Sequence, residues 1–409
     1  MKREAAAFAI ALIALGGIVA GQGQTQKKFT GGRVTLEDQG SFFIGGVTKV
    51  TEFATVPPAG PAGAAAAPVP VPVPVPQQIT IGQMYVQFQI PANQSGWPVI
   101  MVHGSTHTGA ALESTPDGRE GWYPYFVRKG VATYVVDQSG RGRSGFDQSV
   151  LLEAKARALA GDSKRAADLI PNFGRITDNG AWTAWFGHLV PAGSNVTNGK
   201  LVVHGDAGDA EKNPDGTPHA ATLFPTDAAA EYYKQLVPNA EATLTGSTCA
   251  TCQPQALSPA NTWTPQNLAL LVERLGGAIV ATHSQSGIMG HHMIRILKER
   301  GHLDLVKGLI TIEGGCSLPN SGLTAADFDR IPYLALKGDY TATSAQCQET
   351  VDAINQRRAQ KLGSTKAEYL KLDEMGMPGV THMMMLDRRN LEIADVMLNW
   401  TAKNTSKRR

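Results

Sequence analysis

One segment constrains the fold of this chain more than any other, because it puts a serine at a sharp turn between a strand and a helix. The apolar run 277–281 predicts a buried strand, and the pattern of 287–300 predicts a helix. Between them stands Thr282-His283-Ser284-Gln285-Ser286. Small residues two positions before and after Ser284 suit the strained turn called a nucleophile elbow. Ser284 is thus the candidate nucleophile, and Ser286 is a weaker rival because bulky Ile288 follows it by two positions.

Strand and helix patterns alternate along most of the chain. Apolar runs predict a first strand or hairpin at 32–55. Further strands are predicted at 79–90, 97–102, 131–136, 277–281, 306–312, 332–336 and 369–372. Helical patterns fill the gaps near 120–129, 264–275, 287–300, 323–329, 347–361 and 386–402. Alternation of this kind is typical of an α/β fold, with a mostly parallel sheet and helices on both faces.

Two segments interrupt this alternation. Residues 56–78 are rich in Pro and Ala, and such a stretch stays extended and solvent-exposed, so we expect a loop insert. Residues 146–262 are long, polar and dotted with aromatic side chains. A segment of that length inside a domain is usually functional or has its own structure. We expect a cap inserted between the fourth and fifth strands, with a peripheral decoration as the alternative.

The N-terminus has the pattern of a secretory signal peptide over residues 1–20. Lys2 and Arg3 precede an apolar run that ends near Ala20 in small residues suited to cleavage. An uncleaved anchor is the alternative, although the run is short for a transmembrane helix. We therefore expect a mature domain over 31–405, secreted or periplasmic, without stable membrane association after cleavage. The net charge of +2 and the lack of a basic stripe argue against nucleic acid as a partner.

Export changes how the four cysteines are interpreted, because an even number in an oxidising compartment suggests disulfides. Cys249 and Cys252 form a Cys-x-x-Cys, most simply a local disulfide, since a zinc site would need a second ligand pair. Cys316 and Cys347 follow two predicted neighbouring strands and could pair across the strand ends.

A serine nucleophile needs a base, and an acid that orients the base. His382 is the candidate base, because it lies in the loop between the last predicted strand and the last helix. Two acids compete for the orienting role. Glu313 follows the strand 306–312, and Asp339 follows the next strand. Topology alone narrowly favours Asp339.

The oxyanion of an acyl-transfer reaction is usually bound by backbone amides, and two positions suit this role. Gln285 directly follows the candidate nucleophile. Ser105 follows His103-Gly104 at the end of an apolar strand, where glycine lets the backbone turn its amides inward. The Ser105 side chain is not needed for this role.

Two other patterns could indicate ligand sites but are better explained structurally. Gly140, Gly142 and Gly145 spell a GxGxxG after a strand, yet the irregular stretch that follows does not suit a dinucleotide site. We interpret it as a glycine-rich turn. His291 and His292 are adjacent on a predicted helix and face different directions, so they make a poor metal pair. We expect neither a metal nor an organic cofactor.

Together these segments resemble the α/β-hydrolases, and more closely a group of secreted bacterial esterases among them. The resemblance covers most of 31–405, apart from the Pro-rich insert and parts of the expected cap. The segments that carry it are Gln83-Met84-Tyr85-Val86, His103-Gly104, Thr115-Pro116-Asp117-Gly118-Arg119, Gly121-Trp122, Asp137-Gln138-Ser139-Gly140-Arg141-Gly142-Arg143-Ser144, His283-Ser284-Gln285-Ser286-Gly287 and His382-Met383-Met384-Met385.

The resemblance implies a Ser-His-Glu triad. In that group the acid is a glutamate after the sixth strand, which is Glu313 here, so we expect Glu313 rather than Asp339. The resemblance also supports a Cys316–Cys347 disulfide. The group carries two adjacent cysteines after His-Gly, where this chain has Ser105-Thr106, so any special role of that pair is absent.

The implied activity is hydrolysis of a small carboxylic ester through an acyl-enzyme. Two alternatives stay open: the same triad acting on an amide or carbon–carbon bond, and a catalytically silent homologue that binds a ligand. The expected cap aromatics and Met383–Met385 could shape an apolar pocket, or the methionines could simply pack the core. A homodimer is compatible with the sequence.

Overall fold

The computed structural model describes residues 33–51, 77–169, 175–186, 196–197, 200–201, 222–238, 263–339, 345–359 and 366–405. The expected signal peptide, nearly all of the Pro/Ala-rich insert, and the Cys249–Cys252 pair lie outside the described residues.

One eight-stranded sheet forms the centre of the described chain, in the spatial order β1-β2-β4-β3-β5-β6-β7-β8. Its strands are β1 (Leu36–Thr51), β2 (Gln77–Pro91), β3 (Val99–Val102), β4 (Thr133–Asp137), β5 (Ala278–His283), β6 (Val306–Ile312), β7 (Tyr333–Lys337) and β8 (Glu368–Lys371). β2 is antiparallel to both of its neighbours, β1 and β4. The other six strands, β3 to β8, run parallel to one another. The predicted mostly parallel α/β sheet is confirmed.

Helices cover both faces of this sheet. They are α1 (Ala110–Glu113), α2 (Trp122–Arg128), α3 (Ser149–Leu159), α4 (Ser163–Leu169), α5 (Asp178–Ala181), α6 (Ala229–Tyr233), α7 (Trp263–Arg274), α8 (Ser286–Glu299), α9 (Leu318–Ser321), α10 (Ala345–Ala359) and α11 (Asn390–Asn404). A π-helical turn, Trp182–Phe186, continues α5. None of the helices in the described ranges combines the length and apolar character needed to cross a membrane.

The core consists of two apolar layers, one on each face of the sheet. Alternate residues of β3 divide between them: Val99 and Met101 pack in the layer with α2 and α11, whereas Ile100 and Val102 pack with α7 and α8. Successive strand residues point to opposite faces. A strand buried on both faces therefore reads as a continuous apolar run.

The expected first strand pairs across the Pro/Ala-rich insert. β1 and β2 form a long antiparallel hairpin in which Phe42 lies opposite Val86 and Thr51 lies opposite Gln77. The insert therefore joins two strands of one sheet and does not separate two domains.

One predicted helix is wrong. The pattern near 323–329 gives only a 3₁₀ turn, Ala325–Phe328, started by a capping box between Thr324 and Asp327. The preceding helix α9 ends at Gly322, which has a left-handed φ of 72°, and Pro332 cannot continue a helix. Short helical stretches between two such stops commonly take the 3₁₀ form.

A disulfide joins Cys316 to Cys347, as predicted, with the two α-carbons 4.8 Å apart. Cys316 lies three residues after Glu313, and Cys347 lies in the first turn of α10. The Thr350 hydroxyl donates to the Cys316 carbonyl at 2.6 Å. A disulfide and a hydrogen bond therefore both connect α10 to the loop after β6. This cross-link stabilises the loop that carries the expected acid.

Candidate active site

Ser284 lies between β5 and α8 in a left-handed conformation, with φ of 54°. Its amide donates to the Ile312 carbonyl at 2.9 Å, and its carbonyl accepts from the Gly287 amide at 3.0 Å. A positive φ is costly for a residue with a β-carbon and persists only where the surroundings enforce it. The turn at Ser284 is therefore a strained strand-to-helix turn of the kind that presents a nucleophile.

Close backbone packing enforces this turn. A β-carbon on Gly287 would lie 2.6 Å from the Gly315 amide nitrogen, and one on Gly314 would lie 2.8 Å from the Ser284 carbonyl oxygen. A β-carbon on Gly104 would lie 2.9 Å from the Ser284 β-carbon. Three glycines thus let neighbouring loops approach the serine from different sides.

The rival serine has a structural role. The Ser286 side chain is fully buried, and its hydroxyl donates to the Val102 carbonyl at 3.1 Å. The same hydroxyl accepts from the His283 amide at 2.9 Å. Ser286 therefore fastens the start of α8 to the turn and is not exposed to a substrate.

Glu313 and His382 are brought together by the loops after β6 and β8. The His382 Nδ1–H donates to Glu313 Oε2 at 2.5 Å, and both side chains are almost fully buried, at 9% and 2% exposure for His382 and Glu313. The Gly338 amide donates to the other oxygen, Oε1. Glycine is required there, because a β-carbon would lie 2.8 Å from that oxygen.

Asp339 makes no hydrogen bond to the His382 ring. Its carboxylate accepts from the Gly379 amide at 2.8 Å, and its own amide donates to the Val380 carbonyl at 2.8 Å. Asp339 therefore holds the loop that leads to His382. The structure places Glu313, and not Asp339, on the imidazole.

The hydrogen bond to Glu313 defines the tautomer of His382. With the proton on Nδ1, the Nε2 atom is the one able to accept a proton. The ring lies 4.7 Å from the His283 ring, and His283 Nε2 donates to the His382 carbonyl at 2.8 Å. Ser284 directly follows His283 in the chain, so these contacts bring the His382 loop next to the serine turn. Between the described side chains of Ser284 and His382 there is no hydrogen bond, a common state in unliganded active sites.

The loop around His382 is anchored from two sides. Asp387 accepts from the Thr381 amide and hydroxyl, both at 2.7 Å. Burial raises the pKa of the Asp387 carboxyl to about 7, although the two Thr381 hydrogen bonds act in the opposite direction. Arg119 donates to the carbonyls of Leu386 and Asp387, both at 2.7 Å. These contacts hold the base loop against the rest of the domain.

The loop after β3 carries the first expected oxyanion donor. His103 Nδ1–H donates to the Gly104 carbonyl at 2.8 Å, and His103 Nε2 accepts from the Gln138 amide at 3.0 Å. Burial lowers the pKa of His103 to about 3, so the ring is neutral. A neutral ring can both donate and accept, as these two contacts require. Ser105 follows Gly104 in this loop and is half-buried.

The second expected donor, Gln285, is linked to this loop through Arg141. The Arg141 guanidinium donates to the Gly104 carbonyl at 2.9 Å and to Gln285 Oε1 at 2.5 Å. The glycine-rich segment after β4 forms a turn, as interpreted from the sequence. Its Arg141 side chain contacts both segments that carry the expected oxyanion donors.

Aromatic side chains from the 146–262 segment contact the site. We call two of its described parts, 175–186 and 222–238, the aromatic segments. The Trp185 ring stacks on His382 with centroids 6.1 Å apart, and it lies 5.2 Å from the His107 ring. The Tyr232 hydroxyl donates to His107 Nε2 at 2.9 Å, because His107 Nδ1–H is directed at the Ser105 carbonyl. The aromatic segments therefore contact both the base loop and the oxyanion loop.

Backbone hydrogen bonds reinforce these ring contacts. The Val237 amide donates to the Thr106 carbonyl at 2.8 Å, and the Leu223 amide donates to the Gly379 carbonyl at 2.9 Å. Residues 103–109 and 379–388 thus each have a main-chain connection to the aromatic segments.

The methionine run near the base packs the core. Met383, Met384 and Met385 are at most 1% exposed and belong to one apolar layer. The packing interpretation of these methionines is therefore the one that the structure supports.

His291 and His292 are buried on α8, where His291 Nδ1–H donates to the Gly287 carbonyl at 2.9 Å. Burial lowers the pKa of each to about 4. No group of three or more potential metal ligands occurs within the described ranges.

Sequence reasoning missed three contributors: Arg141, His107 and Asp387. Arg141 stands between two glycines, a position that only a turn interpretation was given. His107 lies two residues after Ser105, and Asp387 lies five after His382. Closeness in sequence to an expected site residue was the signal for His107 and Asp387, and it does not say what a side chain contacts.

Known proteins resemble this chain in sequence and in fold. No protein-family model matches the chain. A solved structure of a novel bacterial esterase is 29% identical, covers 93% of this chain and 99% of its own, and superposes with a TM-score of 0.69. The probable secreted lipase phiG of Fungal sp. (strain ATCC 74256) is 26% identical over 369 residues, which are 78% of this chain and 86% of the fungal protein.

The sheet order, the strained serine turn and the likeness to the bacterial esterase structure together define the class of this protein: it is an α/β-hydrolase. The predicted fold is thereby confirmed. The similarity extends over nearly the whole bacterial structure.

Proposed function

We propose that this α/β-hydrolase is an exported carboxylic ester hydrolase whose catalytic triad is Ser284, His382 and Glu313. The observation that carries the proposal is the 2.5 Å hydrogen bond from His382 Nδ1–H to Glu313, formed beside the strained turn of Ser284. The names of the two relatives, an esterase and a lipase, support the ester class.

In the proposed mechanism, His382 Nε2 takes the proton from the Ser284 hydroxyl as its oxygen attacks the ester carbonyl carbon. Glu313 keeps the imidazole in the required tautomer and stabilises its charged form. The oxyanion of the tetrahedral intermediate binds the amides of Ser105 and Gln285. His382 then protonates the departing alcohol. Water, activated by the same imidazole, releases the acid from the acyl-enzyme.

The substrate is proposed to be a small ester with an apolar portion. The aromatic segments act as a cap, because they contact both the base loop and the oxyanion loop. Trp185 is half-buried and stacks against His382, so it borders the place where a bound ester would lie. A binding site of this kind combines apolar walls with a few polar groups that orient the substrate.

Export is supported by three features: the signal-peptide pattern of residues 1–20, the Cys316–Cys347 disulfide, and the secreted lipase among the relatives. Structural disulfides persist mainly in oxidising compartments. A periplasmic enzyme satisfies the same features and is the alternative destination.

The test is hydrolysis of p-nitrophenyl acetate, butyrate and octanoate by the oxidised protein, compared with Ser284→Ala. We expect Ser284→Ala to lower kcat roughly 10⁴-fold or more, since it removes the nucleophile. A fluorophosphonate probe should add its mass to Ser284 in the wild type only.

Two results would contradict the proposal. Equal hydrolysis by wild type and Ser284→Ala would remove the serine mechanism. If neither protein hydrolyses any of the esters but the fluorophosphonate still labels Ser284 of the wild type, an amide or a carbon–carbon bond would instead be favoured as the target.

A further inference from the structure

Arg141 lies in the turn after β4 and is almost fully buried, with 3% exposure. Gly140 and Gly142 beside it have φ of 80° and 47°, whereas Arg141 itself is extended. A β-carbon on Gly142 would lie 2.7 Å from Asp137 Oδ2, so only glycine lets the chain pass this close. The turn thereby directs the arginine toward the loop after β3.

The guanidinium group contacts both segments that carry the proposed oxyanion amides. Nη1 donates to the Gly104 carbonyl at 2.9 Å, and Nη2 donates to Gln285 Oε1 at 2.5 Å. The planar guanidinium presents its donors in a rigid fork, so it can hold two acceptors in a fixed relation. One buried cation thus connects the loop after β3 to the residue that follows Ser284.

The contact with Gly104 also determines the direction of the Ser105 amide. The Gly104 carbonyl and the Ser105 N–H belong to one peptide unit, and in a planar trans peptide these two groups point in opposite directions. No cis peptide occurs in the described chain. His103 Nδ1–H donates to the same carbonyl at 2.8 Å. Two donors on one side of the peptide therefore direct the Ser105 N–H to the other side.

This peptide unit borders the nucleophile, since a β-carbon on Gly104 would lie 2.9 Å from the Ser284 β-carbon. A cation on the carbonyl polarises the peptide and makes its N–H a stronger donor. In a buried site, a nearby positive charge also stabilises a developing negative charge more than it would in water.

We propose, on the basis of the serine hydrolase function above, that Arg141 is a positioning residue of the oxyanion hole. It holds the Ser105 and Gln285 amides in one arrangement through Gly104 and the Gln285 side chain. Its contribution is greatest in the transition state, when the oxyanion forms.

The test compares Arg141→Met and Arg141→Lys with Arg358→Met. Arg358 is a matched control, because it is also buried and donates to two backbone carbonyls, those of Phe328 and Ile331, at 2.6 and 2.5 Å. We expect Arg141→Met to lower kcat about 10²-fold to 10³-fold with little change in KM, the size of a lost oxyanion donor. Arg141→Lys should lose less. Arg358→Met should lower stability and leave kcat unchanged.

A thionoester adds a readout that simple misfolding would not move. It puts sulfur, a weaker hydrogen-bond acceptor than oxygen, at the oxyanion position. The wild type should therefore prefer the oxygen ester, and Arg141→Met should lose much of that preference. Wild-type kcat in Arg141→Met, or equal losses for both esters and for Arg358→Met, would overturn the proposal.

Failure of the proposed function can be told apart from failure of this inference. If the wild type shows no Ser284-dependent hydrolysis, the function is wrong, and amide hydrogen exchange then decides the role of Arg141. Faster exchange at Ser105 and Gln285 in Arg141→Met, without a change in Arg358→Met, would uphold the positioning role. Unchanged exchange at both amides would overturn it.

Discussion

The nucleophile turn and the aromatic segments beside it are built in different ways. The turn is formed by backbone approaching backbone, with Gly104, Gly287 and Gly314 packed around Ser284. The aromatic segments are formed by rings packed on rings, such as Phe186 on Phe224 with centroids 3.9 Å apart. Each region contacts the base loop. In the turn the closest contacts are between backbone atoms, which cannot shift without moving the main chain.

This difference separates chemistry from substrate choice. Backbone packed at van der Waals limits has no room for an added methyl group, so geometry at Ser284 is preserved or lost as a whole. An aromatic side chain can adopt another rotamer, or be replaced by a residue of another size, while the main chain stays in place. Substitutions in the turn should therefore affect catalysis and stability, and those in the aromatic segments should affect substrate preference.

The sharpest way to break this comparison is Gly287→Ala. The new β-carbon would lie 2.6 Å from the Gly315 nitrogen and 2.7 Å from the Gly314 α-carbon, both backbone atoms. We expect esterase activity to be lost and the free energy of unfolding to fall by about 3 kcal/mol, the upper range for an overpacked site. Urea unfolding and p-nitrophenyl butyrate hydrolysis measure the two effects.

Gly315→Ala is the matched control, because its β-carbon would meet only Ile288, at 3.4 Å. It should retain most stability and activity. A Gly287→Ala protein that resembled Gly315→Ala would show that the turn is more compliant than its geometry indicates.

Acid should destabilise the folded protein through buried neutral histidines, which lie in and around the turn and not in the aromatic segments. Burial lowers the pKa of these histidines below the ordinary 6.5; they are His103, His107, His283, His291 and His292. The unfolded chain therefore binds more protons as the pH falls below 6.5, and the free energy of unfolding must fall with it. Each histidine contributes at most about 2 kcal/mol of this loss by about pH 5.

Urea unfolding over this pH range measures the loss. Asp387, whose pKa burial raises to about 7, acts in the opposite sense but is one group against five. Stability that stayed constant down to about pH 5 would contradict the neutral state of the buried rings.

A smaller effect should come from Trp185→Ala in the aromatic segments. The His382 amide donates to the Trp185 carbonyl at 3.1 Å, and this main-chain contact survives the substitution. Only the ring that stacks on His382 is removed. We expect a change of about 10-fold in the ratio of kcat/KM for octanoate to that for acetate, as for a pocket that loses apolar contact. A uniform loss on all chain lengths would assign Trp185 to the chemistry instead.

The fold was accessible from the sequence because the sheet depends on local patterns. The apolar runs of β3 to β7 are buried on both faces and stand out as continuous segments. The turn Ala325–Phe328 differs from the predicted helix because helical periodicity alone does not distinguish a short 3₁₀ turn from an α-helix. The sequence does not predict the pairing of β1 with β2, since pairing across a long insert leaves no local signal.

The site was accessible in part for the same reason. The serine turn has a local signature, and position relative to strands singled out His382. The choice between Glu313 and Asp339 depended on resemblance, because two neighbouring strand ends offer an acid to the same loop. Arg141 was not predicted as a contact of Gln285, since the two meet only after β4 and β5 are placed in one sheet.

The most direct test of the triad is kcat/KM for p-nitrophenyl butyrate in Glu313→Gln and Asp339→Asn. Glutamine cannot stabilise the imidazolium and favours the wrong tautomer, so Glu313→Gln should lose roughly 10³-fold to 10⁴-fold. Asp339→Asn keeps an acceptor for the Gly379 amide and should lose less than about 10-fold. The reverse order, with Asp339→Asn the damaging change, would contradict the Ser284–His382–Glu313 triad.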